Sequence, residues 1–360
     1  MTLAALDDMA ACRRRLQHGS RTFLAASYLL PRSVRDPACA LYAFCRQADD
    51  EVDQQVDGHN SPAVAGMLRS DEAVAALRRR LAHVYAGTPG PHSADRALAW
   101  VVQQFAIPQA LPLALIEGFE WDAQERRYDT LADLHDYAAR VAGSVGAMMS
   151  LLMGVRSESG LARACDLGVA MQLSNIARDV GEDARQGRLY LPRDWLREVG
   201  IDPDDWLARP RHSPALAIVV QRLLDAADAL YHRVDAGIAE LPGPCRPGIH
   251  AARTLYAAIG HQVARNGLDP LAGRASVPGP RKARLLVQAT VRARLGPAFD
   301  TVARAEPPLA ATRYLVDAAA GTLAPPAAPT GLEARALWLY DLFDRLARMD
   351  SASAARRLQT

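Results

Sequence analysis

Residues 171–192, "MQLSNIARDVGEDARQGRLYLP", decide how the chain is read. Leu173, Ile176, Ala177 and Val180 recur at three- and four-residue steps, the rhythm of a helix that buries one face. Gln172, Asn175, Asp179 and Asp183 follow the same winding and form one polar ridge beside that face, while Arg178 and Glu182 fall outside it. Asp179 and Asp183 stand one turn apart, where like charges on a bare helix repel. Carboxylates held at the edge of a buried face need cations to offset both repulsion and desolvation.

A second stretch repeats the arrangement. In "LYAFCRQADDEV", residues 41–52, Leu41, Phe44, Cys45, Ala48 and Val52 make the apolar stripe. Asp49 and Asp53 sit at its edge and Asp50 points away. Taken singly, either motif reads equally well as a solvated helix face. Together they present only oxygen donors, carboxylate and amide, which suits a hard ion such as Mg²⁺ and argues against zinc or iron. Magnesium commonly takes one or two carboxylates and completes its shell with water and substrate phosphate. The expectation is a diphosphate held between two facing helices. Arg46 and Arg178 each lie within a turn of a candidate metal ligand and read as phosphate clamps, whereas Arg185 and Arg188 read as partners of neighbouring acids.

The remaining sequence sets this pair in a helical chain. Periodic apolar segments recur in "LALIEGFEWDA", "LADLHDYAARVAGSVGAMMSLLMG" and "IVVQRLLDAADALYHRVDAGI", separated by Pro- and Gly-rich punctuation, and no segment alternates convincingly in the rhythm of a strand. The fold class is therefore all-α, with a large domain over residues 1–300. An extension over 301–360 follows, in which the Pro/Ala-rich linker "GTLAPPAAPTG" leads into an amphipathic helix that Thr330 and Glu333 would cap. The net charge of +2 leaves no footprint for nucleic acid. Lys282 is the one lysine among 42 basic residues. Five cysteines without a C-x-x-C indicate neither a disulfide framework nor a zinc site and fit a cytoplasmic protein. The N-terminus lacks the features of a signal peptide, and the longest apolar run is far short of the ~18 residues of a membrane span. No P-loop, G-x-G-x-x-G or Ser-His-Asp grouping supports a nucleotide-binding or hydrolase reading.

Both acidic stretches resemble the paired aspartate-rich signatures of the squalene/phytoene synthase family. So do "HGSRTFLAASYLLP" (18–31), "RRYDTLADLHDYAARVAGSVGAMM" (126–149) and "AARTLYAAI" (251–259), in collinear order over roughly residues 15–290. The resemblance implies an isoprenoid-synthase-type helical bundle around a central cavity and head-to-head condensation of two geranylgeranyl diphosphates, the chemistry of carotenoid biosynthesis. It implies Mg²⁺, with Mn²⁺ as a substitute, and no NADPH for a phytoene product. The family's metal positions fall on Asp49, Asp53, Asn175, Asp179 and Asp183. Its diphosphate contacts fall on Ser20, Thr22, Tyr42, Arg46, Gln172, Arg178 and Tyr256, its cavity tyrosine on Tyr137, and a basic position near the diphosphates on Lys282, which reads equally as a surface lysine.

The aspartates and Tyr137 would carry the catalysis, and Val141, Val145, Met148 and Met149 would supply a dry wall against water, although plain core packing accounts for any one of them. Gly143 and Gly146 suit either close helix approach or room for substrate. His18 reads as a packed or exposed histidine before it reads as a phosphate neighbour. Three other readings stay open: synthesis of squalene, dehydrosqualene, presqualene diphosphate or hydroxysqualene on the same fold, a non-catalytic assembly homologue, and an unrelated cation-binding helical protein. A long hydrocarbon product leads us to expect peripheral contact with the inner membrane. The apolar face of the C-terminal helix is a candidate surface for it, although packing on the domain suits that face as well.

Overall fold

The periodic segments fold as helices in a computed structural model that describes residues 3–19, 21–56, 63–295 and 306–322, and no strand occurs among the described residues. In chain order the helices are α1 (Leu3–Gly19), α2 (Arg21–Ser27), α3 (Arg32–Val56), α4 (Ala63–Tyr85), α5 (Ser93–Gln104), α6 (Ala110–Ala123), α7 (Leu131–Ala138) and α8 (Ser144–Leu152). Then come α9 (Glu158–Arg185), α10 (Arg193–Glu198), α11 (Pro203–Ala208), α12 (Pro214–Ile238), α13 (Arg246–Arg265), α14 (Gly279–Leu295) and α15 (Arg313–Ala320).

The quoted acidic stretch belongs to α9, the helix on which α7, α8, α12, α13 and α15 all pack. Its buried face is the one the periodicity assigned: Leu173, Ile176, Ala177 and Val180 are all buried. Side-chain caps fix where the site-bearing helices begin. Ser157 accepts the Gly160 N–H at the start of α9 (3.2 Å), Ser213 accepts that of Leu216 at α12 (3.1 Å), and Thr130 with Asp133 forms a reciprocal capping box at α7. Each satisfies backbone donors that a helix start leaves orphaned.

Two features depart from a simple bundle of continuous helices. The segment "LADLHDYAARVAGSVGAMMSLLMG", which the periodicity presents as one helix, is interrupted by a π-turn over Ala139–Gly143. Ser144 Oγ donates to the Arg140 carbonyl there (2.6 Å), within the widened turn. The same stretch crosses α9 at backbone contact. A Cβ on Gly146 would lie 2.1 Å from the Ala164 carbonyl oxygen, and one on Gly168 would lie 2.2 Å from that of Ala142. Gly146 is thus required for close approach, whereas a Cβ on Gly143 would meet its nearest atoms at an ordinary 3.5 Å.

The chain divides at Leu323/Ala324, and residues 324–360 lie outside the described residues. Beyond residue 300, α15 buries Leu315, Val316 and Ala319 and packs on α6, α8 and α9. The expected C-terminal amphipathic helix and its Thr330–Glu333 cap lie outside the described residues. No helix among the described residues is long and apolar enough to cross a membrane.

Candidate active site

Two joined chambers lie between α3, α9 and α13. The inner one, about 270 Å³, is lined chiefly by aliphatic side chains, among them Leu41, Val141, Val145, Met149, Leu167 and Met171. The outer one, about 520 Å³, is polar and includes Arg46, Asp49, Asp122, Tyr137, Arg178 and Arg274. Tyr42, Cys45, Val141, Gln172, Asn175 and Tyr256 line both, so they mark the neck where the polar chamber opens into the apolar one. Of the expected dry wall, Val141, Val145 and Met149 face the inner chamber, while Met148 is packed in the core.

The outer chamber is lined by Asp49 of α3 and by Gln172, Asn175 and Arg178 of α9. From α3, Arg46 pairs with Asp49 (2.9 Å) and Asp50 (2.8 Å), and Asp50 is also held by Arg15, away from the chamber lining. From α9, Asp179 receives Arg178 Nε (2.7 Å) and Arg274 Nε (2.9 Å), and both arginines line the chamber beside Asp49. Arg274 reaches this point because the loop at Pro270 rests directly on Gly181, where a Cβ would lie 2.7 Å from the Pro270 carbonyl. Burial first, and then the like charge of Asp179, push the Asp183 carboxyl up to about 7, with Arg188 opposing.

Not every expected residue falls in the chamber. Ser20 and the side chains of Thr22, Asp53 and His18 lie outside the described residues. Lys282, on α14, and Asp179 and Asp183, on α9, are absent from the described lining of both chambers, Asp179 being joined to it through Arg178 and Arg274.

Residues that the acidic-ridge pattern does not single out complete the site. Asp122, near the end of α6, accepts the hydroxyls of Tyr137 (2.8 Å) and Tyr190 (2.7 Å) on its two oxygens. Burial raises its pKa to about 6 even though both tyrosines and Arg188 pull it down. Tyr137 stacks on Tyr190 at 5.2 Å and lies 5.2 Å from Tyr128, so its ring is fixed from two sides and its hydroxyl by the carboxylate. Arg274 likewise stands alone in a loop, without helical spacing to connect it to Asp179.

The donor set fits magnesium of the substrate-completed kind. Among the described residues no group of three or more His, Cys, Asp or Glu side chains is placed to hold a metal ion. What α9 offers instead is two carboxylates and an amide, Asp179, Asp183 and Asn175, and Asn175 Oδ1 is buried at the neck without a hydrogen-bond partner. A buried acceptor without a donor is costly unless a ligand satisfies it. A hard cation whose shell is finished by diphosphate oxygens would do so.

An all-helical body with a charged antechamber over an apolar cavity defines an isoprenoid-synthase-type fold. Residues 16–281 match the model of the squalene/phytoene synthase family. The chain is 51% identical over 321 residues to a phytoene synthase of Cereibacter sphaeroides, covering 88% of this chain and 89% of that one. It is 50% identical over 317 residues to a phytoene synthase of Rhodobacter capsulatus, covering 87% and 90%. A crystal structure of a dehydrosqualene synthase in complex with ligand superposes with a TM-score of 0.71 at 28% identity, covering 81% of this chain and 98% of that one. The chain belongs to the squalene/phytoene synthase family and is an enzyme of prenyltransferase type.

Proposed function

We propose that the chain condenses two geranylgeranyl diphosphates head to head, through prephytoene diphosphate, to phytoene with release of diphosphate. The observation that carries this reading is the neck. A chamber with three arginines, suited to diphosphates, opens through Tyr42, Gln172, Asn175 and Tyr256 into an apolar cavity suited to prenyl chains. The choice of phytoene among the family's products is supported by the relatives named phytoene synthase at half identity over most of the chain.

Asp49, Asp53, Asn175, Asp179 and Asp183 would hold Mg²⁺, which when bound supplies Lewis-acid stabilisation of the departing diphosphate. Arg46, Arg178 and Arg274 supply the matching positive charge from the protein, and their carboxylate partners hold them in place. Val141, Val145 and Met149 keep water from a carbocation formed at the neck. Tyr137 lines the chamber and its hydroxyl donates to Asp122, so the tyrosine oxygen keeps lone pairs with which to accept. Condensation to phytoene involves no reduction, so NADPH has no part in it. Organic extracts from purified protein incubated with C20 or C15 diphosphate test the reading: phytoene from the C20 substrate supports it, and squalene-type products from the C15 substrate alone overturn it.

A further inference from the structure

The apolar chamber contains one residue that a hydrocarbon pocket does not call for. Arg163, only 1% exposed, lines it twelve residues along α9 from Asn175 at the neck. Its guanidinium pairs with Asp166 (2.8 Å) and donates to the carbonyls of Glu306 and Pro307 (3.3 Å each). Arg233 joins the same cluster, donating to Asp166 (3.0 Å) and to the Pro307 carbonyl (2.7 Å), and pairing with Glu306 (3.2 Å). The stem of Arg163 is pressed against α12, where a Cβ on Gly237 would lie 2.3 Å from the Arg163 Cβ. The guanidinium is therefore tied to α9, α12 and the segment that leads into α15.

We propose that Arg163, pinned by Asp166 and the 306–307 carbonyls, is the floor of the prenyl chamber and sets the longest chain it admits. The proposal rests on the reading that this chamber holds a prenyl chain. α9 supplies its scale, because Arg163, Leu167, Met171 and Asn175 all line the chamber along one face. From Asn175 at the neck to Arg163 is a span of about 18 Å at 1.5 Å per residue. With C–C bonds of ~1.5 Å, an extended five-carbon unit covers about 5 Å, so three units span about 15 Å, four about 20 Å and five about 25 Å. The chamber thus accommodates four units with slight bending. A fifth would have to displace a paired guanidinium and leave Asp166 and Arg233 without it, which a hydrocarbon cannot compensate.

The test is calorimetric binding of unreactive thiolodiphosphates with C15, C20 and C25 chains to the full-length protein in Mg²⁺. Wild type is expected to bind the C20 compound at least about tenfold more tightly than the C25 compound. Arg163→Met combined with Asp166→Asn removes both charges of the inner pair while Arg233 keeps Glu306, and it is expected to bring C25 binding to within about threefold of C20. Ala164→Leu raises the floor without touching the cluster and is expected to shift preference from C20 towards C15 by about tenfold. Should the double variant fail to fold, the Ala164→Leu ratio decides alone. If all three compounds bind and neither variant alters their ratios, the floor is wrong while the prenyl chamber stands. If none binds to wild type, the functional reading falls and the floor with it.

Discussion

Replacing Asp122 with asparagine separates two effects that the carboxylate combines. Burial lifts its pKa to about 6 from 3.8, against the Tyr190 and Tyr137 hydroxyls and Arg188. At ~1.36 kcal/mol per unit the shift corresponds to about 3 kcal/mol. Solvent screening of the half-buried side chain reduces this to about 1.5 kcal/mol. The folded protein binds this proton more tightly than the unfolded chain does. The carboxyl therefore favours folding below pH 3.8, and that contribution is lost as pH rises through 6. Asparagine has no such dependence. Its Oδ1 accepts one tyrosine hydroxyl, and its N–H meets the oxygen of the other. Between about pH 4.5 and 7.5 the stability difference should move in the variant's favour by about 1.5 kcal/mol, measured by urea unfolding of ligand-free protein. Turnover should fall by about tenfold or more, because Tyr137 loses the charged anchor that aims its hydroxyl. Identical pH dependence in the two proteins would refute the reasoning. So would a variant more than about 2 kcal/mol less stable at pH 8, since the tyrosine bonds would then outweigh desolvation.

Other perturbations check other parts of the structure. Gly168→Ala forces a methyl against the Ala142 carbonyl and should cost about 1–3 kcal/mol. Gly143→Ala, with nearest contacts at 3.5 Å, should stay within about 0.5 kcal/mol of wild type in the same urea unfolding. His250 is 4% exposed and its pKa is lowered to about 4, mainly by burial, with Arg292, Arg253 and Arg246 adding to the effect and Asp235 opposing it. Its neutral form supports the fold above pH 6.5, and that support is lost as pH falls towards 4, so His250→Gln should reduce the destabilisation between pH 7 and 5 by about 2 kcal/mol. Arg274→Gln removes one of two guanidiniums from Asp179 at an exposed position. It should raise KM for the diphosphate by about tenfold while leaving unfolding stability within about 0.5 kcal/mol.

The sequence made the helices legible because burial leaves a periodic trace. Leu173, Ile176, Ala177 and Val180 could be placed on one buried face, and Asn175 and Asp179 beside it, from spacing alone. The chamber's other half left no such trace. Asp122 has only Glu125, beyond the end of its helix, at helical spacing, and it is defined instead by two tyrosines 15 and 68 residues away. Tyr190 lay within the opening stretch itself, but its value comes from a ring stack with Tyr137 that only the tertiary fold creates. Arg274 is a single cation in a loop, placed by the backbone contact at Gly181. The π-turn at Ala139–Gly143 was hidden because one widened turn hardly disturbs an apolar pattern. Choosing between the roles of Gly146 required the distance to the Ala164 carbonyl, which no one-dimensional pattern contains.

All of this depends on the carboxylates of α3 and α9 jointly gripping one magnesium-bound diphosphate. The most direct measurement is the rate of phytoene formation from geranylgeranyl diphosphate by wild type, Asp49→Asn and Asp179→Asn across a Mg²⁺ titration. Saturable Mg²⁺ dependence in wild type is expected, with no product after chelation and a loss of about a hundredfold or more in each variant. Full-rate product in a chelator, or wild-type turnover by Asp179→Asn, would contradict that joint grip.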